Sequence, residues 1–379
     1  MKNILLVANW DSNVGFAWWL MENFWVTISD EYSKRGFKVF LIYPSISILP
    51  EAIKNSDIIT LEHDFSVCTF NNSKKLIGLI KKNQIKYIYL TDRPAINSYY
   101  CFLRLFGIKK IIVHDHTPGV RSRITGLNKL IKYLVYRLPC INADHLIAVT
   151  PFVRKRFLET LIWPKSKCSI ANNGIIPVEI NPDFRFYAHT QFNIPRDAKI
   201  VITTGRASYY KKIDFIIECA KYIINGNGIQ NLYFIHCGDG PDLLYFKNLV
   251  KAYGLSDNFI FAGRRNDIHN LLQSADIGIQ ASQGEVGYSL SILEYMSAGL
   301  ATLVPDNPSV NQATEHDIDG YIFPENDVPA ASKIIINLLL DDAKLQSIGR
   351  NARGRVENNF NLARTNDELL DAIGKVIIS

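Results

Sequence analysis

The chain has 379 residues, 47% hydrophobic and 21% charged, with a net charge of +6. That length suits two cored domains better than one, and the absence of a long polar tract excludes a disordered protein. No stretch reaches the roughly 18 apolar residues of a membrane span, and Cys68, Cys101, Cys140, Cys168, Cys219 and Cys237 lie scattered without CxxC spacing, which argues against zinc and fits buried reduced thiols of the cytoplasm.

In chain order, MKNILLVANW opens with a short apolar run that reads as a first buried strand. The loop NWDSNVGFAWWL follows, where Gly15 allows close approach of an acceptor or a donor pyrophosphate. Trp18 and Trp19 are expected in core or interdomain packing. The runs KVFLIYP, DIITLEH, KYIYLTD, KIIVHDH and HLIAVT then alternate with helical patterns, as a parallel sheet covered on both faces requires. KIIVHDHTPG delivers His114, Asp115 and His116 to the carboxyl end of a strand, where open parallel sheets hold ligands. In extended chain His114 and His116 share a face, so one of them contacts substrate. Alternatively, one histidine merely donates to a loop carbonyl, and with no third ligand nearby a metal pair is disfavoured.

Between Arg104 and Arg156 stand eleven Lys and Arg against Asp115 and Asp144, so this block nets +9 and the remainder −3. Such a block suggests an anionic partner: membrane lipid, a phosphorylated acceptor or nucleic acid. Within it Leu127, Leu130, Ile131, Leu134, Val135 and Leu138 form one helical face, opposite Lys129, Lys132 and Arg137. This pattern reads as an amphipathic helix packed on its own sheet. The competing reading is a helix at a membrane surface, helped by the neighbouring Tyr99, Tyr100, Phe102, Leu103, Leu105, Phe106, Lys109 and Lys110.

The polar segment 181–199, with Pro182 and Pro195, marks the domain boundary. The expected division is 1–185, a first domain on which 361–379 packs back, and 186–360, a second. A second strand series follows: KIVITTG, LYFIHCG, NFIFAG, DIGIQAS and ATLVP. Its first strand ends in Gly205 and Arg206, with Lys211 and Lys212 before the next helix. Cations at a helix start oppose the helix dipole, so a bound anion would relieve a local conflict. CGDGPD sets Gly238 and Gly240 after a strand but lacks the third glycine of a dinucleotide loop, since position 243 is Leu243. In SQGEVGYSLSILEYMSAG a turn with Gly287, Tyr288 and Ser289 opens a helix whose N-terminus favours anions, and Glu294 is placed to accept ribose hydroxyls. The plain alternative is a helix cap with a surface glutamate. Asp317 and Asp319 in HDIDG read as a turn before strand YIFP.

These segments together resemble a retaining glycosyltransferase of the GT-B fold, similar to glycosyltransferase family 4, over nearly the whole chain. GRASYYKKIDFII resembles the family's GR…KG…D.LI segment, CGDGPD its GDGP loop, and ADHLIAVTPFVRKRF and IANNGI its ADxxIAVS and NNGI segments, the last singling out Asn173 and Gly174. DIGIQASQGEVGYSLSILEYMSAGLATLV resembles its donor-site turn and helix. Two departures stand out. The family's EGFGLxxLE places two glutamates eight apart, whereas here Glu285 and Glu294 are nine apart with Val286 at the matching position. Lys212 also stands where the family has glycine.

The resemblance implies two Rossmann-like doubly wound domains facing a cleft, with a nucleotide sugar held mainly by the second. Arg206 and Lys211 would stabilise the departing diphosphate, His114 or His116 would line the sugar pocket, and Glu285 would take the displaced carboxylate role. Gly15, Gly205, Gly238, Gly240, Gly287, Tyr288, Ser289 and Glu294 would bind donor. The implied activity is hexosyltransferase-like, passing sugar to a glycan or lipid-linked acceptor in polysaccharide assembly. No metal or other cofactor is expected, nor nucleic acid as a partner. An anionic membrane surface meeting residues 99–156 is a candidate partner, which would place the chain in the cytoplasm, peripheral on the membrane's inner face. A nucleotide-sugar epimerase or hydrolase of the same fold, or a non-catalytic binding subunit, are the competing functions.

Overall fold

A computed structural model describes residues 2–14, 18–138, 140–285 and 288–377. The chain divides into two compact units, Met1–Thr117 with Arg121–Asn172 and Thr365–Ser379, and Pro118–Val120 with Asn173–Arg364. The division after Asn172 lies upstream of the break expected after residue 185.

The first unit is built on a seven-stranded sheet: β1 (Asn3–Val7), β2 (Val39–Tyr43), β3 (Ile59–Glu62), β4 (Ile85–Thr91), β5 (Lys110–Asp115), β6 (His145–Ala148) and β7 (Cys168–Ile170). Their order is β3-β2-β1-β4-β5-β6-β7, with every neighbouring pair parallel. The central strands are buried end to end because helices cover both faces, which is why they read as continuous apolar runs. The helix Trp19–Lys34 buries Leu20, Phe24, Ile28 and Tyr32 at helical spacing. In the C-terminal helix Leu362–Ile377, Leu369, Ala372, Ile373 and Val376 are buried, and Glu368 accepts from the Asn172 backbone and side-chain N–H groups at 2.9 Å. Thus the end of the chain belongs to the first unit.

The second unit has six parallel strands: β8 (Lys199–Thr204), β9 (Leu232–Cys237), β10 (Phe259–Gly263), β11 (Ile277–Ile279), β12 (Ala301–Pro305) and β13 (Gly320–Phe323). The order β10-β9-β8-β11-β12-β13 reverses direction between β8 and β11. Loops leaving the carboxyl ends of these two strands flank the crevice where doubly wound sheets bind ligands.

Several expectations are corrected. Trp19 is 38% exposed, and Trp18 is only partly buried, its ring edge-on to Trp25 at 5.9 Å. The helix expected at residues 127–138 spans Gly126–Val135 and buries none of its residues, so it is not packed on its sheet. Cys168, Cys219 and Cys237 are buried, but Cys68 and Cys140 are exposed. The β7 strand is short and lay unread in the sequence because three residues give no usable periodicity.

Candidate functional site

In the second unit, β8 runs into Gly205, whose φ of +144° suits a residue without a side chain. The next loop packs against it backbone to backbone. A Cβ on Gly238 would lie 1.8 Å from the Gly205 carbonyl oxygen, and one on Gly240 would lie 2.3 Å from that of Ala207. The Gly205 N–H donates to Cys237 O at 3.0 Å and the Ala207 N–H to Asp239 O at 3.0 Å. Gly238 and Gly240 therefore clamp one loop on another, a role that spacing alone did not reveal.

Arg206, at the tip of the first loop, is exposed and has no hydrogen bond or ion pair among the described residues. Lys211 ends the short helix Tyr209–Lys211, and Lys212 follows at φ 56°, ψ 42° as the cap of the helix Ile213–Lys221. This left-handed conformation explains why glycine suits the position and why lysine there stores backbone strain of about 1 kcal/mol.

Lys211 Nζ meets Glu285 Oε1 at 2.6 Å. The same oxygen accepts from Gln280 Nε2 at 2.8 Å and Ser282 Oγ at 2.6 Å, and Glu285 is 9% exposed. A carboxylate held by one cation and two neutral donors is fixed in place, and its charge offsets that of Lys211. Gln280 and Ser282 escaped the sequence reading; their signal was the polar alternation at the end of β11. Glu285, one residue out of the family spacing, is therefore brought to the lysine. Beside this turn lies a pocket of ≈ 80 Å³ lined by Lys212, Gln283, Glu325 and Asn326. That is well short of the roughly 300–1,000 Å³ of small-molecule sites.

The helix Leu290–Ser297 begins at Ser289, which is buried and makes no side-chain cap bond. Its first-turn N–H groups thus lack intrahelical acceptors. The Tyr288 ring packs against Phe360 at 4.5 Å, and Asn173 Nδ2 donates to Tyr288 O at 3.4 Å. The position of the helix is fixed by Tyr295. Its hydroxyl accepts from the Thr204 N–H at 2.5 Å, and its ring fills the space a Cβ on Gly278 would need. One turn into this helix, Glu294 is partly buried and its carboxylate has no partner among the described residues. Burial raises its pKa from 4.5 to about 7. Gly15 and Gly287 lie outside the described residues.

In the first unit His114 and His116 do share a side, with ring centroids 4.1 Å apart. His114 is fully buried, hydrogen-bonded through Nδ1 to the Tyr89 hydroxyl and packed on Phe24. Burial first, and the neighbouring His116 second, hold its pKa well below the usual value, so it is neutral. His116 is 7% exposed; its N–H donates to the Asp92 carboxylate and its ring stacks on Phe24 at 5.9 Å. Asp115, between them, instead meets Arg156 at 3.1 Å, and Arg156 also donates to Thr117 O at 3.0 Å. Asp317, with φ 63°, and Asp319, which accepts from the Glu315 N–H, form a turn.

The family profile described as Glycosyltransferase Family 4 matches residues 21–178, and that described as Glycosyl transferases group 1 matches residues 185–355. The chain is 29% identical over 346 residues to the UDP-Gal:alpha-D-GlcNAc-diphosphoundecaprenol alpha-1,3-galactosyltransferase of Escherichia coli, covering 89% of this chain and 87% of that protein. Several other curated relatives align over about half their own length. Among solved structures, a glycosyltransferase from Rickettsia africae superposes with a TM-score of 0.78 at 18% identity, covering 100% of this chain and 99% of that one. The Anabaena protein HepE, solved with UDP, gives 0.77 at 15% identity, covering 99% and 100%. At these identities the structures speak to the fold.

Proposed function

We propose, starting from a chain that belongs to the GT-B group 1 glycosyltransferases and resembles family 4, that it transfers a hexosyl-type sugar from a nucleotide sugar to a lipid-linked glycan acceptor with retention of configuration. The E. coli relative is named for a UDP-sugar donor and a diphosphoundecaprenol-linked acceptor, which favours a uridine nucleotide and a lipid-linked acceptor here. The observation that carries the reading is the grouping in the second unit. There Arg206 is unpaired among the described residues, Lys211 is held by Glu285, and Glu294 awaits hydrogen-bond donors one turn beyond a helix N-terminus.

In this reading Glu294 accepts the ribose hydroxyls, and the diphosphate meets the N-terminus of the helix Leu290–Ser297. Arg206 and Lys211 stabilise the charge that develops on the departing diphosphate, without a resident metal. The leaving phosphate helps deprotonate the acceptor hydroxyl on the face it leaves, which gives retention. Glu285 holds Lys211 and contacts the transferred sugar, and in the first unit His116 contacts substrate with His114 packed behind it. The acceptor binds the first domain. The basic region of residues 99–156 meets an anionic membrane surface on its cytoplasmic face, bringing the chain to its lipid-linked acceptor.

The test is Arg206→Ala, assayed by sugar transfer to a lipid-linked acceptor after donors are screened by thermal shift. Arg206 is exposed, so the fold is retained. Loss of a preformed charge stabiliser lowers kcat by about 10²–10³-fold. Unchanged transfer by the variant, or no transfer by the wild type with any stabilising donor, overturns the proposal.

A further inference from the structure

The helix Gly126–Val135 has no buried residue. Leu127 is 71% exposed, Leu130 55% and Leu134 58%, and Ile131 and Val135 complete the same face. At 3.6 residues per turn these five side chains fall within an arc of about 140°. In water an apolar face of this kind has nothing to pack on, and isolated helices of ten residues are marginal. A covering partner would stabilise both the face and the helix.

Charge selects that partner. From Arg121 to Leu138 the sequence holds Arg121, Arg123, Lys129, Lys132 and Arg137 and no carboxylate. Within the unit only part of this charge is neutralised. Arg123 pairs with Glu159 at 3.0 Å, whereas Arg137 stacks on the Tyr133 ring at 3.4 Å and Arg121 donates to the Thr117 hydroxyl. A second copy of the chain on this face would set cation against cation. An anionic bilayer offers hydrocarbon for the leucines and headgroup phosphates for the lysines, whose long stems let the ammonium groups reach outward. Tyr133 flanks the apolar arc, as aromatic side chains do at membrane interfaces, while Tyr136 on the opposite side packs edge-on to Trp163 at 5.9 Å and ties the helix end to the unit.

We infer that the helix Gly126–Val135 lies in the plane of an anionic membrane surface, with Leu127, Leu130, Ile131, Leu134 and Val135 immersed and Lys129 and Lys132 on headgroups. This deepens the membrane part of the function proposed above and rests on it, and it narrows the contact within residues 99–156. The helix Ser98–Leu105 is not the inserted element. Tyr100 and Leu103 are buried, and Tyr99 and Phe102 stack on each other at 5.4 Å.

The insertion also has a consequence for substrate. The segment from Thr117 to Thr125 joins the end of β5, with His116, to this helix. Its base is held by Arg156, which donates to the Thr117 carbonyl and to the Asp115 carboxylate. An immersed helix would therefore tether the carboxyl end of β5, through this short segment, to the membrane that carries a lipid-linked acceptor.

The experiment is co-sedimentation of the full chain with phosphatidylcholine vesicles with and without phosphatidylglycerol, using the wild type, Leu130→Glu/Leu134→Glu and Lys129→Glu/Lys132→Glu. Leu130, Leu134 and Lys129 are exposed and Lys132 is partly so, and circular dichroism confirms that each variant is folded. The wild type binds the phosphatidylglycerol vesicles and is released by salt. The leucine variant binds at least about tenfold more weakly at any salt, because it loses immersed apolar area. The lysine variant loses the preference for phosphatidylglycerol. Equal binding by wild type and leucine variant, or no wild-type binding, overturns the inference. So does sedimentation of the wild type as a dimer that the leucine variant dissolves, since the face then belongs to a second copy. Donor hydrolysis without vesicles, run in parallel, separates the two readings: its absence in wild type speaks against the transferase, whereas its persistence with no vesicle binding speaks against the helix alone.

Discussion

Replacing Glu294 by Gln keeps the side chain's shape and removes its titration. The carboxyl ionises at about 7 in the folded chain because burial disfavours its charge, against 4.5 for the ordinary group. The folded state therefore binds this proton more tightly than the unfolded state. With respect to this group, stability is greatest below 4.5, declines as pH rises to 7, and is flat above. At about 1.4 kcal/mol per pKa unit, the loss amounts to about 3 kcal/mol at most. Glu294→Gln should equal the wild type in acid and exceed it by up to that amount in mild alkali. The five tryptophans, at positions 10, 18, 19, 25 and 163, all lie in the first unit. Urea unfolding followed by circular dichroism, with tryptophan fluorescence subtracting the first unit, thus reports the second. Donor binding provides a second arm. Ribose hydroxyls donate to the ionised carboxylate, so nucleotide-sugar affinity should rise as pH passes 7 in the wild type and stay weak and flat in the variant. Parallel stability profiles for the two chains, or an affinity unchanged by Glu294→Gln, would refute this account of the site.

Lys211→Ala strands a Glu285 carboxylate that is 9% exposed, and should cost about 1–3 kcal/mol, largely recovered when Glu285→Gln is added; additive losses by urea unfolding would show that the pair is uncoupled. Gly238→Ala drives a methyl into the Gly205 carbonyl at 1.8 Å, so its second unit should lose more than about 3 kcal/mol or fail to fold, and a wild-type melting temperature would contradict the backbone clamp. His236 and His145 are buried and ionise at about 4. Each is neutral in the folded chain and protonates more readily when unfolded, so the stability they contribute is complete above 6.5 and is lost as pH falls toward 4. His236→Leu should flatten that acid loss in the second unit, and an unaltered slope in pH-dependent unfolding would count against it.

Much of the fold was legible because it is written in local pattern. Continuous apolar runs such as KIIVHD and KIVITT announce strands buried on both faces, and their alternation with amphipathic stretches announces parallel sheets. The order of the chemical segments, from Gly205 and Arg206 to Glu294, was legible in the same way, since each lies at a strand-to-helix turn. Local pattern does not state what a face packs against. The helix Gly126–Val135 has a periodicity suited equally to a sheet and to a lipid surface, and only the tertiary structure shows its leucines uncovered.

By itself, then, the sequence determined two doubly wound sheets and the turns that carry the chemistry. The tertiary structure decided which distant groups meet. It brings Lys211 to Glu285 across 74 positions, closes the Gly238 loop on Gly205, and leaves Glu294 desolvated without a cation. The reason is physical: secondary structure follows from spacing within a few residues, whereas a carboxylate's charge state and partners depend on burial and contacts that only the packed chain creates.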